Sequence, residues 1–79
     1  MSPTVFRDGS FRFSFYSHEE SRVHIHVSHP SGTAKFWLQP AIELATNHGL
    51  TGHQIARARD LIEEHQVEIH RAWRQYFGR

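Results

Sequence analysis

The sequence predicts an α+β fold, in which a small antiparallel sheet of about four strands is covered on one face by a long C-terminal helix. Polar and apolar residues alternate through the first half, whereas apolar residues in the second half recur at three- and four-residue steps. The chain has 79 residues and no segment that resembles a linker. We therefore expect a single domain over residues 1–79, with a sheet-rich half over 1–40 and a helical half over 51–77.

Four segments predict the strands of this sheet. The clearest begins at Phe11 and ends at Tyr16, because its three phenylalanines alternate with polar residues. Similar alternation predicts strands over Thr4 to Arg7, Val23 to Ser28 and Ala34 to Leu38. The segment from Ala41 to Ala45 fits either a short edge strand or one helical turn.

A capping box predicts where the helix begins, because Thr51 is followed three residues later by Gln54. An apolar stripe then extends from Ile55 to Tyr76, before Gly78. A helix of roughly 25 residues would be nearly 40 Å long, more than a small sheet can cover. We expect a kink, a frayed end, two shorter helices or a partner. His65 lies on the stripe, a position more typical of a hydrogen-bonded core histidine than of a ligand or base.

Composition excludes several classes of protein. Cysteine is absent, so disulfides are excluded and any metal site would consist of His, Asp and Glu. The formal charge is only +1, so any contact with nucleic acid requires a local basic patch. No apolar run approaches the roughly 18 residues of a membrane span, and the N-terminus does not resemble a signal peptide. We therefore expect no membrane association and a cytoplasmic location.

Two of the eight histidines lie on one predicted strand. His24 and His26 are two residues apart, so both imidazoles project from the same face of the sheet, about 6 to 7 Å apart along the strand. Their β-branched neighbours project from the opposite face, toward the core. The same alternation in the other strands adds four residues to the histidine face: Arg12, Tyr16, Lys35 and Trp37.

This set of residues suits RNA cleavage without a metal ion. The reaction requires a base for the 2′-hydroxyl, an acid for the leaving oxygen and a cation for the phosphate. His24 and His26 fit the first two roles, with Tyr16 as an alternative acid. The expected substrate-binding residues are Arg12 and Lys35, which would contact phosphate, and Trp37, on which a base could stack.

Three other interpretations fit the same residues. His24 and His26 could bind zinc with a third ligand from His29, His18, Glu19 or Glu20. The face could instead be an ordinary solvated surface with cross-strand pairs and no chemistry. Alternatively, the chain is a non-catalytic protein-interaction domain, in which the C-terminal aromatic residues contact a partner protein or a second copy. These aromatic residues are Trp73, Tyr76 and Phe77.

Several motifs together resemble a family of small bacterial proteins, the domain of unknown function DUF4160. They are Pro3 to Arg7, the Phe-rich run to Ser17, Val23 to Val27, Ala34 to Leu38, Leu44 to Gly49, Glu63-Glu64-His65, Trp73 and Phe77-Gly78. The resemblance extends over nearly the whole chain. It implies a compact bacterial protein encoded beside a small partner, in an arrangement suggestive of toxin–antitoxin pairs.

Together, the residues and the resemblance lead to one expected function. The chain is expected to be the toxin-like component of such a pair, acting on RNA as a metal-independent ribonuclease and held in check by a small cognate partner protein. A homodimer is the other expected partner arrangement. The alternative is the non-catalytic interaction domain, with zinc bound through His24 and His26.

Overall fold

The described part of the chain folds into a five-stranded antiparallel sheet and two helices. The computed structural model describes residues 4–16 and 22–78. The elements are β1 (Thr4–Asp8), β2 (Phe11–Ser14), β3 (His24–His29), β4 (Gly32–Trp37), β5 (Glu43–His48), α1 (Gly52–Glu64) and α2 (Gln66–Phe77). The strands lie in the sheet in chain order, and each pairs with the next. The predicted α+β class is therefore confirmed, with five strands rather than about four.

Short turns establish the register of the first four strands. Asp8 is the Cα partner of Phe11, so only Gly9 and Ser10 join β1 to β2, and Gly9 has a φ of 58°, which glycine adopts without strain. His29 likewise pairs with Gly32 across the turn between β3 and β4. These two tight hairpins align the strands so that apolar residues form continuous rows on one face of the sheet and polar residues form rows on the other.

The fifth strand corresponds to the ambiguous segment of the sequence. It begins at Glu43 and ends at His48, so the edge-strand interpretation is correct, but the strand lies later than the expected Ala41 to Ala45. It pairs with β4 through an irregular register between Lys35 and Phe36. Its residues are mostly exposed, which is why hydrophobic alternation did not define it.

The helical half is divided at His65. Thr51 caps α1 with the predicted capping box, since its side chain accepts from the Gln54 amide and the Gln54 side chain accepts from the Thr51 amide. His65 leaves the helical conformation, with φ −110° and ψ 19°, and its backbone N–H donates to the carbonyls of Leu61 and Ile62. Two helices of 13 and 12 residues therefore replace one long helix. The break lets both halves follow a small sheet.

The core lies between the helices and one face of the sheet. Phe13, Ile25 and Phe36 are fully buried on the strands, and Ile62 and Ile69 are fully buried on the helices. These residues occupy the predicted apolar positions of each element, so the sequence pattern located the core correctly. In the part of the chain that the structure describes, no helix is long and apolar enough to cross a membrane.

Candidate functional site

The opposite face of the sheet holds the polar and aromatic residues that form the candidate site. Its side chains lie in three rows that run across the strands, because directly opposite residues of an antiparallel pair project on the same side of the sheet. Ser14 pairs with His26, which pairs with Lys35. In the neighbouring rows, His24 pairs with Trp37, and Arg12 pairs with both Ser28 and Arg7. We call this surface the histidine face.

His24 is fully buried on the histidine face, as is Ser14. Its Nδ1 lies 2.7 Å from the carbonyl oxygen of Arg22. Because a carbonyl can only accept, Nδ1 carries the proton in this hydrogen bond. The ring lies edge-on to Trp37 and to Trp73 of α2, with centroid distances of 5.9 and 5.2 Å. Packing on several sides therefore holds His24 away from solvent.

His26 is half-buried and lies between Tyr16 and His24. The Tyr16 and His26 rings are stacked in parallel, with centroids 3.9 Å apart and an interplanar angle of 11°. The His24 ring stands nearly perpendicular to that of His26, with a centroid distance of 5.2 Å. Tyr16 is 38% exposed. The two predicted histidines are thus adjacent, but a molecule in solvent can reach His26 and Tyr16 much more readily than His24.

Trp37 holds two cations against its ring. The Lys35 Nζ is 4.4 Å and the Arg22 guanidinium carbon 4.3 Å from the ring centroid, both within the range of cation–π attraction. Arg22 also donates to the Gln39 carbonyl and pairs with Glu43 at 3.3 Å. Trp37 therefore supports these two cations, a role that the sequence analysis did not assign to it.

Two arginines face each other across the β1–β2 hairpin. Arg7 and Arg12 are Cα partners on the histidine face, and Arg12 Nε donates to Thr4 Oγ1 at 2.7 Å. This pairing places two positive charges side by side on the histidine face. The sequence analysis missed Arg7. A two-residue turn at Gly9 and Ser10 would have indicated it, because that turn places Arg7 opposite Arg12.

The described residues do not complete a metal site around the histidines. Among residues 4–16 and 22–78, no group of three His, Cys, Asp or Glu side chains is placed to hold one ion. His29, one of the predicted third ligands, packs against Phe11 and accepts from the Ser31 amide through Nδ1. The other predicted ligands, His18, Glu19 and Glu20, lie outside the described residues. The zinc alternative thus rests on two histidines, one of them buried.

His65 and the C-terminal aromatic residues lie on the helices, and of these Trp73 also contacts His24 of the histidine face. His65 stacks on Phe6 with centroids 3.9 Å apart, and its Nδ1 donates to the Leu61 carbonyl at 2.9 Å, so it is the hydrogen-bonded structural residue that its position predicts. Trp73 is buried against Phe15. Tyr76 is 40% exposed and lines a groove of about 440 Å³ between β1 and α2.

Comparison with known proteins gives one match. The family model described as "Domain of unknown function (DUF4160)" matches residues 10–74, which include the histidine face from Arg12 onward, α1 and the first nine residues of α2. No curated protein and no solved structure matches the chain.

Proposed function

The chain belongs to the DUF4160 family, and from the geometry of its histidine face we propose that it binds RNA there and cleaves it without a metal ion. The observation that carries the proposal is the grouping of cations and aromatic rings around one accessible imidazole. Lys35 is the cross-strand partner of His26, Tyr16 stacks on His26, and the Arg7–Arg12 pair lies in the next row.

Binding requires that this face attract a phosphodiester chain. Arg7, Arg12 and Lys35 supply positive charge from three different strands, so consecutive phosphates could lie across the sheet. Single-stranded RNA also presents unstacked bases, and Tyr16 offers an exposed aromatic ring beside these cations. The local patch that the low net charge demands is therefore available on this face.

The chemical step divides between His26 and Tyr16. In this mechanism His26 removes the proton of a 2′-hydroxyl, whose oxygen attacks the adjacent phosphorus and forms a 2′,3′-cyclic phosphate. The Tyr16 hydroxyl gives its proton to the departing 5′-oxygen, while Arg12 and Lys35 stabilise the charge on the phosphorane. His24 is a positioning residue here, because its buried ring packs edge-on against His26. The mechanism thus keeps His26 from the acid–base pair expected from the sequence and uses Tyr16, the expected alternative acid, in place of His24.

In the cell, we place this activity in the cytoplasm, as the toxin-like half of a pair with a small cognate partner. The second candidate is a non-catalytic interaction domain. It is favoured by the burial of His24, since a histidine without exposed surface cannot itself contact a substrate. Both candidates use the histidine face or the aromatic residues beside it, and they differ in whether RNA is cut.

A binding titration tests the RNA part of the proposal. The fluorescence anisotropy of a labelled single-stranded RNA should rise with the wild-type protein, and the salt dependence should reveal the phosphate contacts. Arg12→Ala should weaken binding and lower the slope of log K against log salt by about 0.7, the value for one phosphate contact of a single strand. Arg74→Ala removes the same charge from an exposed position of α2 and should leave the slope unchanged.

Two outcomes would contradict this assignment. If Arg12→Ala and Arg74→Ala change the slope equally, RNA does not bind at the histidine face. If the wild-type protein does not bind RNA at low salt, the RNA function is wrong. The toxin role has a separate test, in which expression of the chain alone should arrest growth and co-expression of the neighbouring gene should restore it. Normal growth of cells that express folded protein would contradict the toxin role.

A further inference from the structure

The edge of the sheet formed by β5 has few of the features that prevent pairing with another strand. Among the described residues, β5 pairs with β4 and with no other strand, so one side of its backbone faces away from the sheet. Edge strands are commonly protected by lysine, proline, inward-pointing charges or a β-bulge, and of these β5 has only a bulge between its end residues. Leu44 is 42% exposed on this strand. The opposite edge, β1, carries Arg7 and Asp8.

The bulge in β5 gives its residues a symmetrical arrangement on the two faces. Glu43, Thr46 and His48 pair with Trp37, Lys35 and Thr33, so all three belong to the histidine face. Leu44 and Asn47 pair with Phe36 and Ala34, so both belong to the core face. Ala45 is the extra residue of the bulge. At each end of β5, the terminal residue therefore belongs to the histidine face and the next residue to the core face. Ala45 and Thr46 are the two central residues.

We propose that β5 pairs with β5 of a second copy, antiparallel and about a two-fold axis between Ala45 and Thr46. In this register Glu43 lies opposite His48 of the second copy, and Leu44 lies opposite its Asn47. The symmetrical pattern places both of these pairs on matching faces of the combined sheet, so the two histidine faces become continuous. A regular strand of six residues could not do this, because its first and last residues would lie on opposite faces.

A carboxylate and an imidazole at opposite ends of β5 select this register. Glu43 is the only carboxylate of β5, and His48, at the other end, is its only imidazole. A two-fold axis brings each next to the other twice, so that an imidazole N–H can donate to a carboxylate at both ends of the shared strands. Glu43 already pairs with Arg22 at 3.3 Å, and its carboxylate has two oxygens that can accept further donors.

Sedimentation equilibrium of the full chain tests this pairing with two substitutions of His48 that introduce opposite charges. The wild-type protein should dimerise reversibly. His48→Lys should keep or tighten the dimer, whereas His48→Glu places two like-charge pairs at the interface and should raise the dimer dissociation constant roughly tenfold or more. His53→Glu makes the same chemical change on the exposed start of α1 and should leave dimerisation unchanged.

Leu44→Lys provides an independent test, because a lysine in the middle of an edge strand opposes pairing. It should yield a monomer with a wild-type circular dichroism spectrum, while Val67→Lys, on an exposed position of α2, should remain dimeric. A wild-type chain that is monomeric at high micromolar concentration would overturn the proposal. A dimer that His48→Glu and His48→Lys leave equally stable, or that Leu44→Lys does not weaken, would also overturn it. None of these results bears on RNA binding.

Discussion

Replacing His24 should affect the stability of the fold much more than replacing His26, although the two residues look equivalent in the sequence. His24→Ala removes a ring without exposed surface and its 2.7 Å hydrogen bond to the Arg22 carbonyl. Loss of the hydrogen bond costs about 1 kcal/mol, and loss of the buried ring adds roughly 1 to 2 kcal/mol. We therefore expect about 2 to 3 kcal/mol of lost unfolding free energy.

For a domain of this size, each 1 kcal/mol corresponds to roughly 4 to 8 °C in melting temperature. His24→Ala should therefore melt roughly 8 to 24 °C below the wild type. His26→Ala, which loses a half-buried ring stacked on Tyr16, should lose about 1 kcal/mol or less of unfolding free energy. His24→Asn provides a useful intermediate, because its side-chain amide can still donate to the Arg22 carbonyl while the aromatic contacts are lost.

Thermal denaturation followed by circular dichroism measures all three variants under the same conditions. Equal melting temperatures for His24→Ala and His26→Ala would refute the reasoning, since the two side chains would then be equally exposed in solution. If His24→Asn is no more stable than His24→Ala, the hydrogen bond to Arg22 contributes nothing, and ring packing alone accounts for the effect.

A further prediction concerns the turn before β4. Gly32→Ala should destabilise the fold by about 2 kcal/mol or more, because its Cβ would collide with the His48 carbonyl oxygen. Gly52→Ala, at an open position of α1, should be neutral or stabilising, and chemical denaturation compares the two variants.

The residues of the sheet show how far sequence reasoning extends. Period-two alternation correctly separated Phe13, Ile25 and Phe36 from the polar residues of the opposite face, because a buried face tolerates few exceptions. It did not define β5, since an exposed edge strand has no hydrophobic face to detect. It also could not distinguish His24 from His26, because alternation assigns a face and does not tell which residues of that face become covered.

Sequence reasoning also could not predict contacts between segments that are distant in the chain. The proximity of Trp73 to His24 depends on where α2 crosses the sheet, which follows from the break at His65. The approach of Arg22 to Trp37 depends on the path of the chain before β3. Neither is contained in local periodicity. The pairing of Arg7 with Arg12 was accessible, because the length of a hairpin loop determines its register.

Cleavage of a single-stranded RNA in excess chelator, compared with DNA of the same sequence, tests the proposed function most directly. The mechanism requires a 2′-hydroxyl, so the RNA should be cut to fragments ending in 2′,3′-cyclic phosphate, and the DNA should stay intact even where it is bound. His26→Ala should slow cleavage by at least about 100-fold, the scale of a lost general base. RNA that stays intact while bound to folded wild-type protein, or equal cutting of RNA and DNA, would contradict the proposed chemistry.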